Sequence, residues 1–175
     1  LKKMPAAAAT GVYAQYARLE EEHGLTSRAL AVLDRAAQAA PLDQRWPAYE
    51  RWAGKAAALS GVGAVREVYQ AAVEREPGEG GLPDAGVRAA CVEFARLERK
   101  LGEVDRARAV LQHGSRSADP RADPGYWAEW NDFEVQHGNE ETFREMLRVK
   151  RSVTAFHSQA YHGTAGNAGG GGGGG

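Results

Sequence analysis

Large apolar side chains recur at three-residue steps in four places along the chain. They are Tyr13, Tyr16 and Leu19; Trp46, Tyr49 and Trp52; Cys91, Phe94 and Leu97; and Trp127, Trp130 and Phe133. Such steps keep side chains on one side of a helix. An acid follows three of these ladders directly, as Glu20, Glu98 and Glu134. A glycine then follows each, Gly24, Gly61, Gly102 or Gly138, suited to the residue past a helix end where positive φ is needed. Beyond each glycine a second helical period begins: Ala29, Leu30, Val32, Leu33 and Ala36; Val65, Val68, Tyr69 and Val73; Val104, Ala107, Val110 and Leu111; Met146, Val149, Val153 and Phe156. The pattern predicts four helix–turn–helix repeats, at about 11–40, 44–76, 84–117 and 124–156.

Aligning the ladders on Tyr13, Trp46, Cys91 and Trp127 gives spacings of 33, 45 and 36 residues. That is the period of helical-hairpin arrays, about 34–47 residues. The expected fold is all-α, an α-solenoid of about four repeats. Residues 1–10 read as the lead-in of a fragment, since the first residue is Leu1 rather than methionine. PGEGGLP (77–83) reads as a flexible connector that lengthens the middle spacing, and Pro47 as lying near a helix start, where proline costs little. The last helix outruns its partner, carrying Met146, Val149, Val153 and Phe156 as one apolar stripe. Val153 and Phe156 are therefore candidate partner-binding residues. Residues 157–175, polar and then all glycine from Gly169, read as a disordered tail.

Charge narrows the function. Twenty-two basic and 23 acidic residues leave a net charge of −1, which argues against broad phosphate-driven binding of nucleic acid. Nine of the 14 aromatics occupy ladder positions beside acids, so they read as packing rather than as platforms for stacking bases. The single cysteine, Cys91, sits on a ladder and reads as core in a reducing compartment. No apolar run approaches a membrane span. His23 and His137 directly precede turn glycines and suit helix C-termini; none of the five histidines belongs to a zinc motif. The basic run Arg144, Arg148, Lys150 and Arg151 reads as a solvated helix face. Catalytic, cofactor-binding and metal-binding residues are all assigned as none, and no cofactor is expected.

Glu98 precedes Arg108 by ten residues, and Glu134 precedes Arg144 by the same ten. This predicts an ion pair inside each hairpin that sets the hairpin angle. The first unit keeps Glu20 but has Leu30 at the arginine position; the second keeps Arg66 but has Ala53 at the acid's.

The ladder W-x-x-W-x-x-F-E with a turn glycine and a second-helix arginine resembles the HAT (half-a-TPR) repeat. Longer runs, YARLEEEHGL (16–25), KLGEVDRARAVL (100–111), SADPR (117–121) and WNDFEVQHGNEETFREMLRVKRSV (130–153), are similar to the C-terminal repeats of Syf-type pre-mRNA-splicing factors, the XPA-binding protein 2 family. The resemblance covers roughly residues 12–155. It implies a nuclear, non-enzymatic scaffold of the spliceosome, within the nineteen-associated complex, beside crooked-neck-like HAT proteins. It also implies a link through XPA to transcription-coupled nucleotide excision repair. Alternatives are a HAT scaffold for 3′-end cleavage or ribosomal RNA processing, and a solenoid that binds RNA directly.

Overall fold

The computed structural model describes residues 6–166, with side chains from Ala9 to Ala160. Eight α-helices occur among the described residues, with no strand: α1 (Ala6–Glu22), α2 (Thr26–Ala39), α3 (Leu42–Ser60), α4 (Val62–Glu74), α5 (Asp84–Lys100), α6 (Val104–Gly114), α7 (Pro124–His137) and α8 (Glu140–Gly166). Successive helices form four hairpins. Backbone contacts gather them into two compact units, one ending at Phe94 and the next beginning at Ala95 within α5.

In the first unit, Ala9, Tyr13 and Ala17 of α1 pack against Val32, Leu33 and Ala36 of α2. Small alanines let these helices approach closely, so the core is narrow. In the second unit the α7 core is made of large rings: Tyr126, Trp127, Trp130 and Phe133 are all buried. Trp127 and Trp130 stack with centroids 5.5 Å apart.

Three hairpin turns use glycine as expected, with φ of 71° at Gly24, 80° at Gly61 and 81° at Gly102. Gly138 is different: its φ is −91°, which any residue adopts. A Cβ there would meet the Glu134 carboxylate and backbone carbonyl and the Thr142 hydroxyl. Gly138 therefore serves close approach, not handedness. Just beyond it, Asn139 N–H donates to Thr142 Oγ1 at 2.9 Å and Thr142 N–H to Asn139 Oδ1 at 3.0 Å. This reciprocal cap starts α8.

Four sequence expectations need correction. Residues 6–10 belong to α1, because the alanine run after Pro5 is a strong helix former and Ala9 is already core. Pro47 lies inside α3, which begins at Leu42, so one turn of that helix lacks a backbone donor. The 77–83 connector is pinned rather than flexible. Arg45 Nη1 donates to the Pro77 carbonyl at 3.1 Å and also to the Gly81 carbonyl, while Tyr49 Oη donates to the Gly80 carbonyl at 3.2 Å. Leu82 is buried, and a Cβ at Gly80 would strike Gln38, so glycine permits the docking. Finally, residues 157–166 continue α8 instead of beginning a tail. Helix α8 packs against the 3-10 turn Ser115–Ser117, and His157 and Ser158 are half-buried. The glycine run from Gly169 lies outside the described residues.

Candidate functional site: the joint between repeats and the exposed faces

Burial fixes the repeat register. The first helices bury Tyr13, Ala17 and Glu20; Tyr49, Ala53 and Ala56; and Cys91, Ala95 and Glu98 at steps of four and three. In α7, Trp127 and Glu134 mark the ends of the same interval. The second position of the sequence ladder in the second repeat, Tyr49, is thus its true first position. Trp46 precedes it by one turn and is half-buried, as is Trp52. Tyr13, Tyr49, Cys91 and Trp127 stand 36, 42 and 36 residues apart. Sixteen residues beyond the first three of these lie the buried Ala29, Val65 and Ala107. Aromatic identity suggested the earlier alignment; packing selects this one. Phe94 is buried and Leu97 half-buried, whereas Tyr16 and Leu19 of α1 are exposed and do not join the core.

The most organised polar site lies between α6 and α7. Arg108 Nε donates to Glu134 Oε1 at 2.8 Å, and Nη2 to Oε2 at 3.2 Å. Trp130 Nε1 donates to Glu134 Oε1 at 3.0 Å. The Glu134 side chain is fully enclosed, and the Arg108 guanidinium also lies 5.5 Å from the Phe133 ring centroid. A fork of two parallel donors matches a carboxylate, and the indole fills a further lone pair. Tyr126 Oη donates to the Leu111 carbonyl at 2.6 Å, and Trp127 Nε1 to the Ala118 carbonyl at 2.9 Å. The three rings of α7 that carry a donor, Tyr126, Trp127 and Trp130, are thereby satisfied at their polar edges. Outside this seam, Arg96 of α5 grips Glu129 of α7 with two hydrogen bonds of 2.9 Å, which hold the Glu129 carboxyl below its ordinary pKa.

These contacts replace both pairs expected inside hairpins, Glu98–Arg108 and Glu134–Arg144. Glu134 binds Arg108 of the preceding hairpin, while Arg144 pairs with Glu140 one turn away on α8. Glu98 sits 3.7 Å from Arg106, not Arg108. Glu134, late in α7, thus faces backward along the chain, toward the hairpin before it, whereas Glu98 meets an arginine of its own hairpin. Arg66 occupies the same register position as Arg108, seventeen residues past the buried tyrosine or cysteine. Sequence reasoning missed Tyr126, Arg96 and Glu129; a partner between neighbouring repeats leaves no fixed short spacing to read. His23 does act at a helix end, with Nδ1 2.7 Å from the Leu19 carbonyl oxygen.

Two grooves and one projecting helix offer surface. In the first unit a groove of about 890 Å³ runs between α1 and α3 over α2, floored by Ala17, Ala29 and Leu33. Lys55 bridges its rim to both carboxylate oxygens of Glu21, at 2.7 and 3.0 Å. In the second unit a groove of about 650 Å³ between α6 and α8 is lined by Arg108, Gln112, Arg144, Leu147, Arg148 and Arg151. Arg144 and Arg148 are each bridged to an acid on their own helix, in keeping with a solvated face. Beside the first turn of α7, Lys150 of α8 caps the Trp127 ring at 5.9 Å. Val153 is half-buried there, and Phe156 is 65% exposed. Among the described residues no group of three or more His, Cys, Asp or Glu could hold a metal ion, and no helix is long and apolar enough to cross a membrane.

Comparison with known proteins agrees with this architecture. The family described as pre-mRNA-splicing factor Syf1/CRNKL1 C-terminal HAT repeat matches residues 1–168. The chain is 48% identical over 155 residues to the pre-mRNA-splicing factor syf1 homolog of Drosophila melanogaster, covering 89% of this chain and 17% of that protein. It is 46% identical over 155 residues to pre-mRNA-splicing factor SYF1 of Mycosarcoma maydis, covering 89% and 14%. It is also 46% identical over 144 residues to SYF1 of Mus musculus, covering 82% and 16%. The chain thus spans less than a fifth of the length of these relatives. Helical hairpins at HAT spacing, the acid-and-ring seam and the match over nearly the whole sequence agree: the chain belongs to the Syf1/CRNKL1 C-terminal HAT-repeat family.

Proposed function

We propose that this chain is a non-enzymatic scaffold segment for pre-mRNA splicing in the nucleus, holding other spliceosomal proteins on its helical faces. The observation that carries the reading is the HAT-family match across residues 1–168, joined to relatives that are themselves pre-mRNA-splicing factors. Within that reading its neighbours are subunits of the nineteen-associated complex, including crooked-neck-like HAT proteins, with a further link through XPA to transcription-coupled repair. The near-balanced charge, 22 basic against 23 acidic residues, favours protein over RNA as the direct partner.

The partner-binding residue with the best exposure is Phe156, on the part of α8 that outruns α7. Half-buried Val153 supports it from the same helix. The test is affinity purification of the tagged chain from nuclear extract, wild type beside Phe156→Asp. Splicing subunits should co-purify with the wild type and fall at least tenfold with the variant, at unchanged thermal stability. Recovery of 3′-end cleavage or ribosomal RNA-processing subunits instead would assign the scaffold to another pathway. Salt-dependent retention of single-stranded RNA on a filter would make RNA the ligand.

A further inference from the structure

Helix α8 turns a stripe of reversed polarity toward α6. Arg144, Leu147, Arg148 and Arg151 stand at i, i+3, i+4 and i+7, the spacing at which a helix ordinarily buries apolar side chains against a neighbour. Three of the four are arginines, and all four line the groove of about 650 Å³ between α6 and α8. Arg108 and Gln112 of α6 form the facing wall, and Trp130 of α7 lies at the base. Four arginines against two glutamates, Glu141 and Glu145, make the lining basic in a chain whose net charge is −1. None of these cations is a lysine. The arginines of α8 are loosely held. Arg144 and Arg148 are 75% and 68% exposed and pair with Glu140 and Glu145 on their own helix, single-turn contacts that cost little to exchange. Arg151 is exposed and makes no ion pair or hydrogen bond among the described residues. Leu147 is 37% exposed between them.

We propose that this groove is a docking site for an acidic amphipathic helix of another protein. Carboxylates at the matching i, i+4 and i+7 positions of that helix accept from Arg144, Arg148 and Arg151, and an aliphatic side chain between them covers Leu147. Two helices laid side by side present such positions at the same rise, so the spacing on α8 dictates the spacing on its occupant. The lining selects carboxylates on a helix over the phosphates of RNA. A guanidinium meets a carboxylate through a fork of two donors and is weakly hydrated, which suits a groove with a leucine in its wall. Glu141 and Glu145 in the same lining repel a continuous phosphate backbone. A helix can instead place its acids opposite the arginines and neutral or basic residues opposite the glutamates. Such recognition operates in whatever complex the scaffold serves, and it uses a stretch of α8 that ends before Phe156.

The probe is a fluorescein-labelled, alanine-based peptide of about 15 residues, long enough to hold a helix. It carries Glu, Leu, Glu and Glu at i, i+3, i+4 and i+7, and a second version replaces the glutamates by glutamine. Fluorescence anisotropy with the full chain should show saturable binding of the acidic peptide, about tenfold or more tighter than of the glutamine version. Arg148→Glu, Arg151→Glu and Leu147→Asp should each weaken it by a similar factor at unchanged melting temperature. Lys150→Glu changes the charge as much as Arg151→Glu, but Lys150 faces the Trp127 ring rather than the groove, so binding should persist. Absence of saturable binding overturns the proposal, as does equal binding of the glutamine version. Equal weakening by Lys150→Glu and Arg151→Glu would overturn it too, by showing attraction to charge alone. Tighter binding of a single-stranded oligouridylate that Arg151→Glu abolishes would overturn it by making RNA the ligand of this groove.

Discussion

The first and last hairpins carry the same repeat in two different states. Both begin with an aromatic register residue, Tyr13 or Trp127, and both place an acid seven residues later. In α7 that acid is clamped by Arg108 and Trp130 inside a cage of buried rings. In α1 the corresponding side chains are open to solvent on one flank, and alanines provide the close packing on the other. The contrast shows what the repeat positions are for. The ring three residues after the register position is a joint residue, buried in α7 and exposed in α1, while the acid is buried in both and gains its arginine fork only in α7. Tyr13 and Trp127 are hairpin residues, buried in either state. A HAT repeat is thus energetically incomplete alone: about half of its diagnostic side chains work for the contact between repeats.

The sharpest way to break the comparison is to remove the clamp. Arg108→Ala leaves the Glu134 carboxylate enclosed with only the indole as donor, and should cost about 3–5 kcal/mol, the cost of orphaning one member of a buried pair. Glu20→Ala removes an acid at the same register position that forms no ion pair among the described residues, and should cost under about 1 kcal/mol. Urea denaturation of both variants measures the difference. Equal losses would mean that the two acids share one structural role after all.

Much of this was legible in the sequence, and the failures have a common physical origin. Ladder steps and turn glycines are local, so the four hairpins and the core places of Trp127, Trp130, Phe133 and Cys91 could be read directly. The register of the second repeat was misread because Trp46 looks like Trp127 although Tyr49 packs like it. The ion pairs were assigned inside hairpins because a constant ten-residue spacing is visible along a chain, whereas the Arg108–Glu134 contact between repeats spans a connector of variable length. The PGEGGLP connector misled for a related reason. Its glycines read as freedom, but at Gly80 and Gly81 the missing Cβ creates room to dock under Arg45 and Tyr49.

The turn glycines sharpen the comparison at intermediate cost. Gly102 has a φ of 81° and open space around it, while Gly138 has an ordinary φ and a crowded one. Gly138→Ala pushes against the carboxylate that Arg108 holds, and should cost about 1–3 kcal/mol by overpacking. Gly102→Ala should cost about 1–2 kcal/mol through the left-handed backbone alone. Asparagine separates the two causes, since it tolerates positive φ but is larger than alanine. It should recover much of the loss at 102 and none at 138. Recovery at both positions would show that the Glu134 pocket yields easily and is not the rigid clamp inferred from its contacts.

The smallest effect concerns the outer ion pairs that tie first helices together, Arg96–Glu129 in the second unit and Lys55–Glu21 in the first. Both are partly exposed, so screening limits each to about 0.2–1 kcal/mol in a double-mutant cycle. Arg96 should lie at the upper end because its planar fork meets both oxygens in a fixed geometry, whereas the Lys55 ammonium is a mobile point charge. The pH dependence carries the sign. Hydrogen bonding from Arg96 lowers the Glu129 pKa in the folded state, so the unfolded chain takes up its proton first as pH falls. The contribution is therefore complete above the ordinary glutamate value of about 4.3 and fades as pH drops through the lowered folded value. Cycles measured at neutral pH and again below that window should show the Arg96–Glu129 coupling disappear. A coupling that survives in strong acid would mean that the pair acts through packing of the arginine stem, and that the charge itself does nothing to align α5 with α7.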